Sequence, residues 1–207
     1  TAGCLPKALA GGCKVRGGEV RLGTTVRKPV SYGGRVTSVE TDQGTFFADN
    51  FVLATGIRSP FLAKQAGQSI PVYPAKGYSL TVPIADTSKA PTIGGVDERT
   101  LVAWSRMDDE LRVSSTAEFA GYSRNWETSD FSNILKTVEE LWPGAVDWSQ
   151  SRMRSCMRPM TPDGPPIIGR GRLDNFYYNT GHGHMGWTMA CGSSRILADL
   201  MIGSTPA

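Results

Sequence analysis

Hydrophobic positions recur along the 207-residue chain in two rhythms. Near the start, Leu5, Ala8, Leu9 and Val15 fall at helical spacing and Gly17-Gly18 follows as a stop, which predicts a helix over 1–16 with Pro6 in its first turn. A helix over 129–141 is written more clearly: Phe131, Ile134, Leu135, Val138 and Leu141 share one face, and Pro143-Gly144 ends it. A last helix runs from about 187 to 201. Between these, short apolar segments predict strands at 19–22, 35–41, 45–48 (after the Gln43-Gly44 turn), 100–104, 111–115 and 175–178. Phe51-Val52-Leu53-Ala54 is apolar throughout and stops at Thr55-Gly56, as expected of a strand buried on both faces with a ligand or backbone close to its end. From residue 71 the character changes. Val72-Tyr73-Pro74 and the alternation Tyr78-Ser79-Leu80-Thr81-Val82 point to an antiparallel sheet and a second domain. There is no internal repeat and no low-complexity segment.

Composition narrows the class without choosing a function. Hydrophobic residues make up 40% and charged residues 20%, an ordinary soluble globular balance, and the net charge of +3 comes from scattered basic residues that give no case for nucleic acid. Cys4, Cys13, Cys156 and Cys191 form no CxxC pair and no zinc spacing, so no metal site is expected. Reduced thiols in the cytoplasm are the default reading. No apolar run reaches the length of a membrane span, while peripheral attachment to the inner membrane stays open.

Gly181-His182-Gly183-His184-Met185-Gly186 spells GxGxxG between a predicted strand and a predicted helix. The dinucleotide fingerprint of that form needs a further strand with an acidic residue about 20 residues on. Only 21 residues follow Gly186, and the last helix uses most of them, so no complete βαβ unit fits. The turn still presents backbone N–H groups and a helix start to something electron-rich. The bulky apolar residues that open the helix suit a flat aromatic ligand better than a phosphate.

Several further stretches carry a specific resemblance. Arg158-Pro159-Met160-Thr161-Pro162-Asp163-Gly164-Pro165-Pro166-Ile167-Ile168-Gly169 is followed by Asn179-Thr180-Gly181-His182-Gly183 and by Gly186-Trp187-Thr188-Met189-Ala190-Cys191-Gly192-Ser193. Together with Val72-Tyr73-Pro74-Ala75-Lys76-Gly77-Tyr78-Ser79-Leu80-Thr81, Ala117-Glu118 and Ala54-Thr55-Gly56, these resemble the C-terminal half of the D-amino acid oxidase-like flavoenzyme family, in its D-amino acid dehydrogenase branch. The motifs lie in collinear order over nearly the whole chain. The family's N-terminal FAD fingerprint has no counterpart here, and the chain, which does not begin with Met, reads as cut from something longer.

The resemblance implies an α/β plus antiparallel β (α+β) fold. Residues 1–70 and 165–207 would form the remaining part of an FAD-binding domain, and 71–164 a substrate-binding domain on an antiparallel sheet. It implies FAD as cofactor, an amino acid as substrate, and a quinone or respiratory carrier as electron acceptor. Oxidation of a D-amino acid to a 2-oxo acid and ammonia is the expected activity of the whole protein, with little activity and weakened FAD binding in this chain alone. Glycine, sarcosine or hydroxyproline oxidation on the same scaffold is one alternative, and a non-catalytic interaction module is another. Oligomeric state is not legible.

Arg158 would hold the substrate's carboxylate, because a planar, permanently charged guanidinium can grip it by two parallel hydrogen bonds; Arg152 and Arg154 read as structural. Gly181, His182, Gly183, Met185, Gly186, Trp187 and Thr188 would lie at the flavin's pyrimidine edge, with Gly56, Asp163 and Gly164 close to the cofactor. His184 takes no role, Trp187 competes with a core reading, and Glu118 reads as a solvated carboxylate. Two departures stand out: Ser114-Ser115 where relatives carry glycines, which could crowd a strand contact, and Cys156-Met157 where a Gly-Leu pair is common.

Overall fold

A computed structural model describes residues 4–205; the predicted spans that reach 1–3 and 206–207 extend outside the described residues. Helix α1 (Cys4–Val15) follows its apolar period. Three strands, β1 (Val26–Tyr32), β2 (Arg35–Thr41) and β3 (Gly44–Phe47), make an antiparallel meander. The short β4 (Phe51–Leu53) leads through a 3₁₀ turn into α2 (Ser59–Gln65).

The next section is a five-stranded antiparallel sheet. It holds β5 (Tyr73–Pro83), β6 (Gly95–Asp97), β7 (Val102–Met107), β8 (Glu110–Glu118) and β9 (Arg152–Met160), in the order β6-β7-β8-β5-β9. Helix α3 (Ser132–Leu141), entered through a 3₁₀ turn at Thr128–Phe131, covers one face. Alternation along the strands puts Tyr78, Leu80, Val82, Val102, Leu111 and Val113 on that face, where they pack with Phe131, Ile134 and Val138. The other face carries Gly77, Ser79, Ser114 and Arg112 and stays open.

The chain then returns. β10 (Ile167–Arg170) pairs antiparallel with β11 (Phe176–Thr180), and β11 runs parallel to β4, which was laid down more than a hundred residues earlier. The last helix is α4 (Gly186–Met201). A second core of Val36, Phe51, Leu53, Ala63, Phe176 and Tyr178 fills this part. The mixture of helices with parallel and antiparallel strands is the α/β plus antiparallel class that the resemblance implied. Among the described residues no helix is long and apolar enough to cross a membrane.

Two local expectations fail for identifiable reasons. Residues 19–22 form no strand: Leu22 is 85% exposed, and Arg21 instead pairs with Glu19 at 2.6 Å and lies over the Phe46 ring. The first strand comes later and contains Pro29, tolerated because β1 is an edge with no strand on its far side among the described residues. β9 was also not foreseen. Its outward residues are Arg152, Arg154, Cys156 and Arg158, so the pattern lacks a core-facing apolar stripe.

Asn175 joins the two halves of the second core. It is 2% exposed; its amide nitrogen donates to the carbonyls of Val36 and Asp49, both at 2.8 Å, and its oxygen accepts from the Val36 N–H at 2.8 Å. Asn175→Ala leaves three backbone groups without partners, and a loss of about 3 kcal/mol is expected, read as a lowered midpoint in urea denaturation with an unchanged slope.

Candidate functional site

The open face of the five-stranded sheet is the floor of a cavity of about 800 Å³. Its shape begins with an irregularity in pairing. β5 and β8 are in register at Lys76↔Glu118 and again at Tyr78↔Ser115, which leaves one extra residue on β8. Thr116 absorbs this bulge with φ of 71°, a left-handed backbone that a β-branched residue rarely adopts. The bulge leaves the Thr116 carbonyl free of the ladder, and it accepts a hydrogen bond from Nη1 of Arg158 at 2.8 Å. The guanidinium lies flat over Gly77: a β-carbon built there would come within 2.5 Å of Nη2 and 2.6 Å of Cζ. Gly77 is therefore a clearance for the arginine, since its own φ needs no glycine.

The other side of the bulge is pinned by a buried network. Lys76 is 4% exposed, and its Nζ lies 3.0 Å from both Glu118 Oε2 and the Asn125 carbonyl. The Tyr78 hydroxyl donates to the same carboxylate oxygen. The tyrosine hydroxyl first, and then the ammonium, hold Glu118 below the usual carboxylate range; the bond to Glu118 raises Lys76, and burial raises the Tyr78 phenol. Glu118 is thus the counter-ion of a buried lysine, not a free solvated carboxylate. Ser115 crowds nothing: its hydroxyl donates to the Leu101 carbonyl and accepts from Asn133.

The cavity's other wall is the turn between β11 and α4. Gly181 (φ +80°) and Gly183 (φ +55°) need their left-handed backbone, and both also lie against β9 and its continuation. Added β-carbons would sit 2.8 Å from Thr161 Cγ2 and 2.9 Å from Met160 Sδ. The parallel strands β4 and β11 end side by side. Their ends are tied by Thr55 to Ser59 at 3.0 Å and Ser59 to Thr180 at 2.8 Å, next to Gly56 (φ +55°). Ligands of open α/β sheets collect at such carboxyl ends.

Arg158, Gly183 and His184 therefore line one cavity, although 24 residues separate the arginine from the first of the other two. His184, given no role from sequence, stands on its rim. His182 is partly buried, its Nε2 has no hydrogen-bond partner among the described residues, and burial pushes its pKa down. Met185, Trp187 and Thr188 are exposed at the start of α4; Trp187 is 59% exposed and belongs to no core. Asp163 and Gly164 form an exposed turn, with the Gly164 N–H on the Thr161 carbonyl and φ of +91° at Gly164. That turn, Gly56 and Gly186 do not line the cavity. Gly77, Thr116 and Arg112 do, and sequence reasoning did not single them out; the KGY triplet held the only signal, for Gly77.

Comparison with known proteins fits this geometry. Residues 5–200 match the family described as FAD dependent oxidoreductase (DAO), and the chain belongs to that family. D-amino acid dehydrogenase 2 of Mesorhizobium japonicum is 46% identical over 185 residues, covering 89% of this chain and 44% of that protein. D-amino acid dehydrogenase of Agrobacterium fabrum is 46% identical over 183 residues, covering 88% and 44%. The chain spans less than half the length of these curated relatives. Among solved structures, L-proline dehydrogenase from P. horikoshii superposes with a TM-score of 0.84 at 18% identity, covering 96% of this chain and 55% of that one. Glycine oxidase from Bacillus cereus gives 0.84 at 20% identity, with the same coverage. These structures share the fold.

Two outcomes follow from the site's geometry. Gly77→Ala forces only the movable end of Arg158 aside, so stability should change by less than about 1 kcal/mol, while affinity for a small monocarboxylate such as propionate falls about tenfold in calorimetric titration. His182 is held neutral when folded, whereas the unfolded chain takes up a proton near its ordinary pKa. Stability should therefore drop as pH falls from 7.5 through that ordinary value toward the lower folded one, and His182→Gln should flatten this slope in urea midpoints measured across the range.

Proposed function

We propose that this chain forms the substrate side of an FAD-dependent oxidoreductase that converts D-amino acids to 2-oxo acids and ammonia. The observation that carries the reading is a guanidinium fixed on the floor of a cavity whose opposite wall is a glycine turn opening a helix. The names of the relatives at 46% identity favour D-amino acids among the family's substrates. Residues 71–164 serve as the substrate-binding domain, and 1–70 with 165–207 as part of the FAD-binding domain.

Arg158 uses one N–H on the Thr116 carbonyl and offers its remaining donors to the substrate's carboxylate. Because the guanidinium rests on Gly77, the carboxylate position fixes where the α-carbon points. FAD, when bound, supplies the two-electron acceptor for the α-hydrogen. The residues present fit the ring end of that cofactor. Gly56 and Gly183 put no side chain in the way, His182 Nε2 is a buried polar atom without a protein partner, and Met185 and Trp187 offer exposed apolar surface at the helix start. Backbone N–H groups of Gly181, Gly183, Gly186, Trp187 and Thr188, with the positive end of α4, would hold the ring's electron-rich edge and favour negative charge there. By family resemblance the Asp163-Gly164 turn would stand near the cofactor. Release of ammonia needs only water on the imino acid. A quinone or respiratory carrier as final acceptor, met at a membrane surface, rests on family resemblance alone.

The test uses the polypeptide that carries this chain, with FAD bound, under anaerobic conditions. A panel of D-amino acids, their L-forms, glycine and N-methyl amino acids is scored by bleaching of the flavin's visible absorbance. D-amino acids should bleach it fastest, and Arg158→Gln should raise their KM roughly 100-fold. Faster bleaching by glycine or N-methyl substrates, or an unchanged KM in the variant, overturns the reading.

A further inference from the structure

The cavity holds a second guanidinium. Arg112 lines it, two residues before Ser114 on the same open face of β8. Across the sheet Arg112 stands opposite Thr81, whereas Arg158 lies over Gly77, so the two anchor points are separated by four residues along β5, about 13 Å. Between them the floor is made of small side chains, Gly77, Ser79 and Ser114, with Ala103 beside them, which leaves the space over the strands free. Glu110, the acid next to Arg112 on this face, is engaged by Arg152 at 2.6 Å. Glu118, the other carboxylate on β8, stands directly opposite Lys76 and pairs with it at 3.0 Å.

The lining thus contains two permanent positive charges and no carboxylate. An amino acid with a neutral side chain carries no net charge and needs only one guanidinium. A basic side chain would meet like charge. A second acid group on the ligand balances the second arginine, as in a short diacid held end-on between the two arginines.

We infer that Arg112 forms a second anion subsite at the far end of the cavity and makes the preferred ligand a D-amino acid with a side-chain carboxylate. The inference deepens the proposed function and rests on Arg158 holding the α-carboxylate.

Calorimetric titration of the full chain with D-glutamate and with D-glutamine tests it, since the two differ almost only in the charge of the distal group. D-Glutamate should bind at least about fivefold more tightly, with the preference shrinking as salt is raised. Arg112→Gln should bring the ratio close to one without weakening D-glutamine, and Arg158→Gln should weaken both ligands. Equal binding of the two by the native chain overturns the second subsite, as does equal weakening of both by Arg112→Gln; in either case, weakening by Arg158→Gln leaves the proposed function standing. The ratio in the native chain decides even if the Arg112 variant does not fold. Binding of neither ligand, or no effect of Arg158→Gln, removes the α-carboxylate clamp and the inference with it.

Discussion

A single arginine held flat against a strand organises the open face of this protein. Arg158 could sweep a wide volume from an edge strand, yet it is confined from two directions. The missing side chain at Gly77 opens a slot for the guanidinium, and a carbonyl turned out of the β5–β8 ladder holds one of its N–H groups. The carbonyl is available only because β8 carries an extra residue and Thr116 accepts an unfavourable backbone to accommodate it. Lys76, Tyr78 and Glu118 lock the strands on either side of that bulge from within the protein. A local defect in pairing, stabilised from below, becomes orientation above.

The segment after Arg158 has a second task. Pro159 comes close to Gly56, Met160 to Gly183 and Thr161 to Gly181, so the end of β9 is wedged against the loops that finish both parallel strands. A side chain at Gly181 would collide with Thr161 Cγ2, one at Gly183 would have to displace the end of Met160, and Gly56 has only ordinary contact with Pro159. The arginine and the helix-opening turn are therefore set relative to each other by side chains of residues 160 and 161 packing against the glycines of the turn. This close approach, as much as the positive φ angles, accounts for glycine at 181 and 183.

The start of α4 and one side of α1 leave apolar groups such as Trp187, Leu9 and Val15 exposed. The chain covers 44% of D-amino acid dehydrogenase 2 of Mesorhizobium japonicum. The cavity between Arg158 and Gly183, by contrast, is lined wholly from within this chain.

Much of this was legible in the sequence. The period of residues 129–141 predicted α3, and three glycines in six residues required a turn; the apolar run 51–54 predicted a strand, but one buried on both faces, whereas Val52 of β4 is 45% exposed. The lack of a following βαβ unit argued against reading that turn as a dinucleotide fingerprint. Those features depend on neighbours a few residues apart, where backbone geometry and amphipathic spacing act directly. β9 was invisible, because its outward side chains are mostly arginines and give no apolar alternation. Gly77 as a slot, Thr116 as a bulge and Arg112 as a second cation depend on contacts between strands far apart in the chain; Arg158 and Thr116 are 42 residues apart. Local pattern sets which segments become helix, strand or turn, but only the register of distant strands decides which residues meet across a sheet, and the site is made of such meetings.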